Sequence, residues 1–163
     1  MVDRILKVII FFILVNFTKP LMAISAYCNF EEVYQNKETQ NGKLLINEEY
    51  FRYEYESLEL YTIIKNPRGV FTVSNLDNNH IRRVGDNQII NHLVNIYQKY
   101  PNIDNYYKRD EFVFLIEKSK INNFIKRISI QSNQLNLSIF FYDCEFKEIQ
   151  KFYFNEESLI DYS

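Results

Sequence analysis

Few side chains in this sequence are placed to do chemistry. Two carboxylates, Glu54 and Glu56, stand two residues apart beside Arg52 in the stretch 51–56, FRYEYE. Paired carboxylates can divide the acid and base roles of a hydrolysis between them. At strand spacing, however, these three charges share one side of an extended chain, where they form a solvated charged face. His80 and His92 are the only histidines, and two isolated histidines are weak grounds for a metal site. With only Gly42, Gly69 and Gly85 the chain has no glycine-rich phosphate loop. No serine occupies the strained strand-to-helix turn of a hydrolase nucleophile, and no histidine motif accompanies Cys28 or Cys144. The sequence predicts no enzyme, no metal and no cofactor.

What it has in excess is apolar surface. Apolar residues make up 47% of the chain and aromatic residues 17%, with 13 Tyr and 14 Phe, which places it among globular proteins. In the same FRYEYE stretch Phe51, Tyr53 and Tyr55 fall on the side opposite the charges. A face of this kind can hold acyl chains, which gain roughly 0.8 kcal/mol per CH₂ removed from water without needing polar contacts. It is equally what an ordinary filled core requires. From pattern alone, a carrier of an apolar ligand and a ligand-free structural or interaction domain both remain open.

The elements that position this face read mostly as strands. Residues 26–36 form a first strand, and Asn41-Gly42 signals a turn. Strands at 43–47 and 50–56 follow, with a bend at Glu48-Glu49. Residues 60–65 and 70–74 make a hairpin about NPRG, and 80–84 adds another extended segment. The period then changes. Over 86–100, Ile89, Ile90, Leu93, Val94, Tyr97 and Tyr100 share one side at helical spacing, with His92 mostly opposite. Asp86 can cap this helix and Pro101 ends it. Strand patterns resume at 111–118, 124–131, 134–143 and 146–154, the last three as a meander. Several strands are apolar on both sides: Phe112 and Phe114 alternate with Val113 and Leu115, and the stretches at 60–65 and 70–74 behave alike. Strands of this kind must be covered on both faces. The expected architecture is mainly β (α+β), a strongly curved antiparallel sheet around an interior that the helix and loops partly plug.

The first 23 residues read as a signal peptide, with Arg4 and Lys7 before a short apolar run and a cut after Ala23 or Ala26. That run is shorter than the roughly 20 residues of a spanning helix. One domain is expected over 24–163. Of 19 basic and 21 acidic residues, Arg4, Lys7, Lys19 and Asp3 leave with the signal. The remaining 16 and 20 give a formal charge of −4, with no basic run, so nucleic acid is excluded as a partner. Cys28 and Cys144 are the only cysteines of an exported chain. They read as a disulfide or as two buried thiols, and sequence separation does not choose between these.

One motif carries a resemblance. The Gly-led strand GKLLI (42–46) followed by Phe-Arg-Tyr-x-Tyr (Phe51, Arg52, Tyr53 and Tyr55) resembles the LolA family, periplasmic carriers of outer-membrane lipoproteins. The similarity spans roughly 29–154, with the order hairpin, amphipathic helix and C-terminal meander. Tyr53 stands where the family has Trp, and 47–50, Asn-Glu-Glu-Tyr, where it has Arg-Pro. The helix that usually precedes the first strand is missing, and the lid helix is short. The resemblance implies an unclosed half-barrel whose concave face accepts lipoprotein acyl chains under a helical lid. Cargo would come from an inner-membrane ABC transporter and pass to an outer-membrane acceptor, and the carrier would be monomeric. The cavity would be lined by Phe51, Tyr53, Tyr55, Ile63, Phe71, Val73, Phe112 and Phe114. Ile89, Leu93 and Val94 would form the lid, and Arg52 either a lid contact or an outer-face partner of Glu54.

Overall fold

Period-two alternation resolves into ten strands in the computed structural model, which describes residues 25–77, 80–85, 87–120 and 124–157. The signal-like segment and Asp86 lie outside these. The elements are β1 (Ser25–Tyr34), β2 (Thr39–Asn47), β3 (Tyr50–Tyr55), β4 (Tyr61–Asn66), β5 (Gly69–Ser74), β6 (Ile81–Val84), helix α1 (Gln88–Gln98), β7 (Tyr106–Arg109), β8 (Phe112–Lys118), β9 (Ile125–Gln131) and β10 (Asn136–Phe146). A short 3₁₀ turn, Lys151–Phe154, follows. The strands form one antiparallel sheet in the order β6-β5-β4-β3-β2-β1-β10-β9-β8-β7. It is mainly β, with one α-helix among the described residues, and is not closed into a barrel.

The sheet is strongly curled. Laid flat, its edges β6 and β7 would stand about 43 Å apart at 4.8 Å per strand. Yet α1, about 16 Å long, reaches both sides. Its Asn91 shares a groove with Val70, Arg83 and Val84 of β5 and β6, while its His92 ring lies 6.0 Å from the Tyr107 ring of β7. The helix begins at Asn87, whose side chain accepts from the backbone N–H of Ile90 in the usual manner of an N-cap. It buries Ile90, His92, Leu93, Val94, Ile96 and Tyr97 into the concave face.

The first and last strands are neighbours in the middle of the sheet. Cys28 of β1 and Cys144 of β10 are joined by a disulfide, with Cα atoms 4.1 Å apart. It sits at a bulge, where β10 has Asp143 and Cys144 opposite the single Cys28 between the pairs Tyr27↔Glu145 and Asn29↔Tyr142. Asp143 takes a φ of 49° there.

Two expectations are corrected and one element is added. Asn41-Gly42 is not a turn but lies inside β2; the reversal falls at residues 35–38, with Lys37 at φ 68°. Gly42 is used for close approach, since a Cβ there would collide with the Phe30 ring and the Glu54 carbonyl oxygen. Second, residues 146–154 are not a strand of a meander. β10 runs through Cys144 to Phe146, and the chain then turns back over the outer face. The added element is β7, a four-residue edge hairpinned onto β8 through Asp110 (φ 55°). Its residues 106–109, Tyr-Tyr-Lys-Arg, do not alternate.

Candidate functional site

Register assigns each predicted site residue to a face. Phe51 pairs with Ile46 and Lys65, Tyr53 with Leu44 and Ile63, and Tyr55 with Gly42. With Phe30 of β1 they form the aromatic strip of the concave face. Phe30 stacks on Tyr53 at 3.8 Å between ring centroids, in the space Gly42 leaves, and Phe51 faces Tyr97 of α1 at 6.1 Å. Phe112 and Phe114 belong to the same cluster from the other side of the sheet, and Ile63 packs half-buried against it. Of the predicted lid residues, Leu93 and Val94 are buried in this cluster and Ile89 is half-buried at its edge.

Phe71 and Val73 do not line this face. Phe71 pairs with Ile64, and Val73 with Thr62. Both point to the outer face, where Val73 joins Leu45, Ile64, Ile149 and Phe154 in a second apolar cluster. The residues of β5 that look inward are Val70 and Thr72. The VFTV stretch is apolar at both parities because the returning C-terminal segment covers its outer side, so periodicity could not orient it. Arg52 also lies outside. Its Nε donates to Glu54 Oε2 at 2.8 Å and its Nη1 to the Tyr153 carbonyl oxygen at 3.2 Å. It is thus the outer-face partner of Glu54 and a tie for the C-terminal segment.

The concave face also holds polar groups that the sequence reading passed over. Glu32, 3% exposed, accepts hydrogen bonds from Tyr34 (2.5 Å), Tyr53 (2.8 Å) and Tyr55 (3.1 Å). The three hydroxyls satisfy a carboxylate that would otherwise be costly to bury. Burial, with Glu32 beside them, pushes the Tyr34, Tyr53 and Tyr55 hydroxyls above their ordinary 10.0. The signal was present in parity: Glu32 falls in step with Ala26, Cys28 and Phe30, all buried.

The helix is less well satisfied. The Tyr97 hydroxyl and both ring nitrogens of His92 are buried without a hydrogen-bond partner among the described residues. His92 Nε2 lies 3.3 Å from Asp110 Oδ2, close enough for attraction but not aligned as a hydrogen bond. The His92 ring is packed edgewise to Tyr107 and Phe114. A histidine in a polar slot of the helical pattern thus turns inward, because β7 and β8 cover that side.

Fold and site together define a mainly β protein with an open, curled antiparallel sheet whose concave face is occupied by one amphipathic helix. No protein-family model matches the chain, and no curated protein matches it. Among solved structures it is similar to an uncharacterized conserved protein from Thermus thermophilus. The identity is 10% and the TM-score 0.48, over 86% of this chain and 89% of that one.

Proposed function

We propose that this protein is a periplasmic carrier of lipoprotein acyl chains, a LolA-like half-barrel in which α1 is the lid. Cargo enters from an inner-membrane ABC transporter and leaves to an outer-membrane acceptor. The observation that carries the reading is the poor polar seating of α1. Of the four buried side-chain nitrogen or oxygen atoms without a partner among the described residues, three belong to His92 and Tyr97. An unsatisfied buried polar group costs about 1–3 kcal/mol. Lifting α1 returns these atoms to water and so offsets part of the apolar area exposed. An acyl chain that takes the helix's place against Phe51, Tyr53 and Phe114 offsets the remainder. The signal-like N-terminus and the Cys28–Cys144 disulfide suit an exported protein, and the Phe51-Arg52-Tyr53-x-Tyr55 motif supports the family reading.

A second reading has its own observation. Phe30, Leu44, Phe51, Tyr53 and Phe114 are at most 3% exposed. A water-sized void beside them would leave accessible area on their side chains. On this reading the core is filled and the protein is a structural or interaction domain with no ligand.

Organic extraction of the purified protein, followed by titration with a fluorescent apolar probe, separates the two. Co-purified lipid, or probe binding that acyl chains displace, supports the carrier. Absence of both supports the filled core.

A further inference from the structure

The concave face carries a buried charge with no counter-charge. Glu32 of β1 is 3% exposed and enters none of the ion pairs found among the described residues. Its hydrogen bonds come from the hydroxyls of Tyr34, Tyr53 and Tyr55. These fill the carboxylate's lone pairs but are neutral. Buried carboxylates are ordinarily paired with a cation or a metal. Here the lone pairs are satisfied and the charge is not.

The three hydroxyls are committed as well. Each has one proton to donate, and each donates it to Glu32. What they turn to the space beyond is oxygen lone pairs alone. Glu32 and its tyrosines are thus an array of acceptors, and a group that binds there must bring donors and a positive charge.

The array stands at an open end of the concave face. Tyr34 and Tyr55 are the last residues of β1 and β3, and Tyr61 is the first of β4, so antiparallel pairing brings all three to one end of the sheet. Tyr34 and Tyr55 are half-buried, and Tyr61 is 43% exposed. The Tyr55 and Tyr61 rings meet edge-on, with centroids 5.9 Å apart. Burial and Glu32 hold the Tyr34 and Tyr55 hydroxyls above 10.0, and the Tyr61 hydroxyl is near enough to add to both. Tyrosine rings beside a carboxylate suit a cation twice, through ring faces and through charge-assisted hydrogen bonds to oxygen.

We propose that this array binds a primary ammonium group, carried by a free amine or as the head of an amine-bearing lipid. The ammonium donates to the oxygens of Tyr34 and Tyr55 beside the Tyr61 ring, with Glu32 behind them as counter-charge. The site is separate from the carrier reading, because a soluble amine reaches it without any movement of α1. The head of a lipid lodged there would set its chain on Phe30, Tyr53 and Phe51, the strip that leads from Glu32 to the helix.

The test is calorimetric titration with butylammonium, 1-butanol, octylammonium and 1-octanol, each below its aggregation threshold. Each ammonium is expected to bind about tenfold more tightly than the alcohol of the same chain length, the value of one charge-assisted contact. Glu32→Gln, which keeps the shape and removes the charge, should abolish that ratio. Tyr61→Leu changes an exposed ring, should reduce the ratio about two- to fivefold, and carries the test if Glu32→Gln does not fold. Octylammonium binding far more tightly than butylammonium would uphold the site and identify a lipid head as the source. Equal affinities would uphold it and identify a free amine. A ratio that survives in folded Glu32→Gln and in Tyr61→Leu places the ammonium elsewhere, and the assignment falls. It falls equally if neither ammonium outbinds its alcohol, and the carrier reading is then left to its own test with lipid and apolar probe.

Discussion

The two faces of the sheet are covered by different means. On the outer face the segment after β10 is tied down by directional bonds. Ser25 Oγ donates to the Lys147 carbonyl oxygen at 2.7 Å and accepts from the Ile149 backbone N–H at 3.2 Å. Asn47 donates to the Ile149 carbonyl oxygen. Arg52 and Asn66 donate to the carbonyl oxygens of Tyr153 and Phe154, and Arg68 pairs with Glu156 at 2.6 Å. Beneath these ties lies a small apolar cluster around Ile64 and Phe154. On the concave face α1 contributes a large apolar surface, yet the buried side-chain nitrogen and oxygen atoms of His92 and Tyr97 make no hydrogen bond among the described residues. Directional bonds fix one geometry, whereas apolar contact is non-directional and can be exchanged for other apolar contact. On the proposed carrier reading the outer segment stays in place and the helix is the covering that cargo replaces.

Breaking the seam that both coverings share should have the largest effect. The disulfide spans a sequence separation of 116, and in the chain-entropy model a loop of that length is worth about 5 kcal/mol. Urea unfolding of the Cys28→Ser/Cys144→Ser variant should show a loss of that order, and an unchanged midpoint would contradict it. Next is Phe154→Ala on the outer face, where truncating an aromatic that is 1% exposed costs about 3–5 kcal/mol. Helix replaceability predicts that this variant leaves apolar-probe affinity unchanged despite its lower stability. Smaller again is Asn66→Ala, which strands the Phe154 carbonyl oxygen and should cost about 1–3 kcal/mol.

Tyr97→Phe sharpens the contrast from the other side. Removing an unpartnered hydroxyl should leave stability equal or raised by up to about 1 kcal/mol. It should also lower probe affinity, because the helix is then harder to displace. A clear loss of stability would mean that the hydroxyl has a partner and that the two coverings do not differ as described.

Alkali tests the burial of the concave face. Tyr34, Tyr53, Tyr55 and Tyr97 of the concave face are all held above 10.0 by burial. Below pH 10 both folded and unfolded chains keep these hydroxyls protonated, and this contribution to stability is intact. Above it the unfolded chain ionises first, so stability falls as pH rises toward the folded values. Chemical denaturation between pH 9 and 11 should show that decline. Tyr53→Phe should blunt it, and a flat profile would contradict the burial of these hydroxyls.

Sequence reading succeeded where one face alone is apolar. Phe51, Tyr53 and Tyr55 alternate with charges, so their common face could be read without a structure. Where both faces are covered parity does not choose between them: Phe71 and Val73 of β5 face outward, whereas Phe112 and Phe114 of β8 face inward. Tyr153 and Phe154 look like part of a strand because their packing on the outer face repeats a strand's composition. What sets their path is a row of side-chain bonds to main-chain carbonyls, which has no periodic signature. His92 was hidden in a polar slot, since its burial depends on β7, an edge whose residues do not alternate. Glu32 was legible in parity, and the three tyrosine hydroxyls on its side of the sheet supply the partners it needs.

Hydrogen exchange during palmitate titration tests the replaceable helix most directly. The carrier account predicts that binding releases the protected amides of Gln88–Gln98, while those of β2, β3 and the segment after β10 keep their protection. Saturable binding with α1 protection unchanged, or no binding at all, would contradict it.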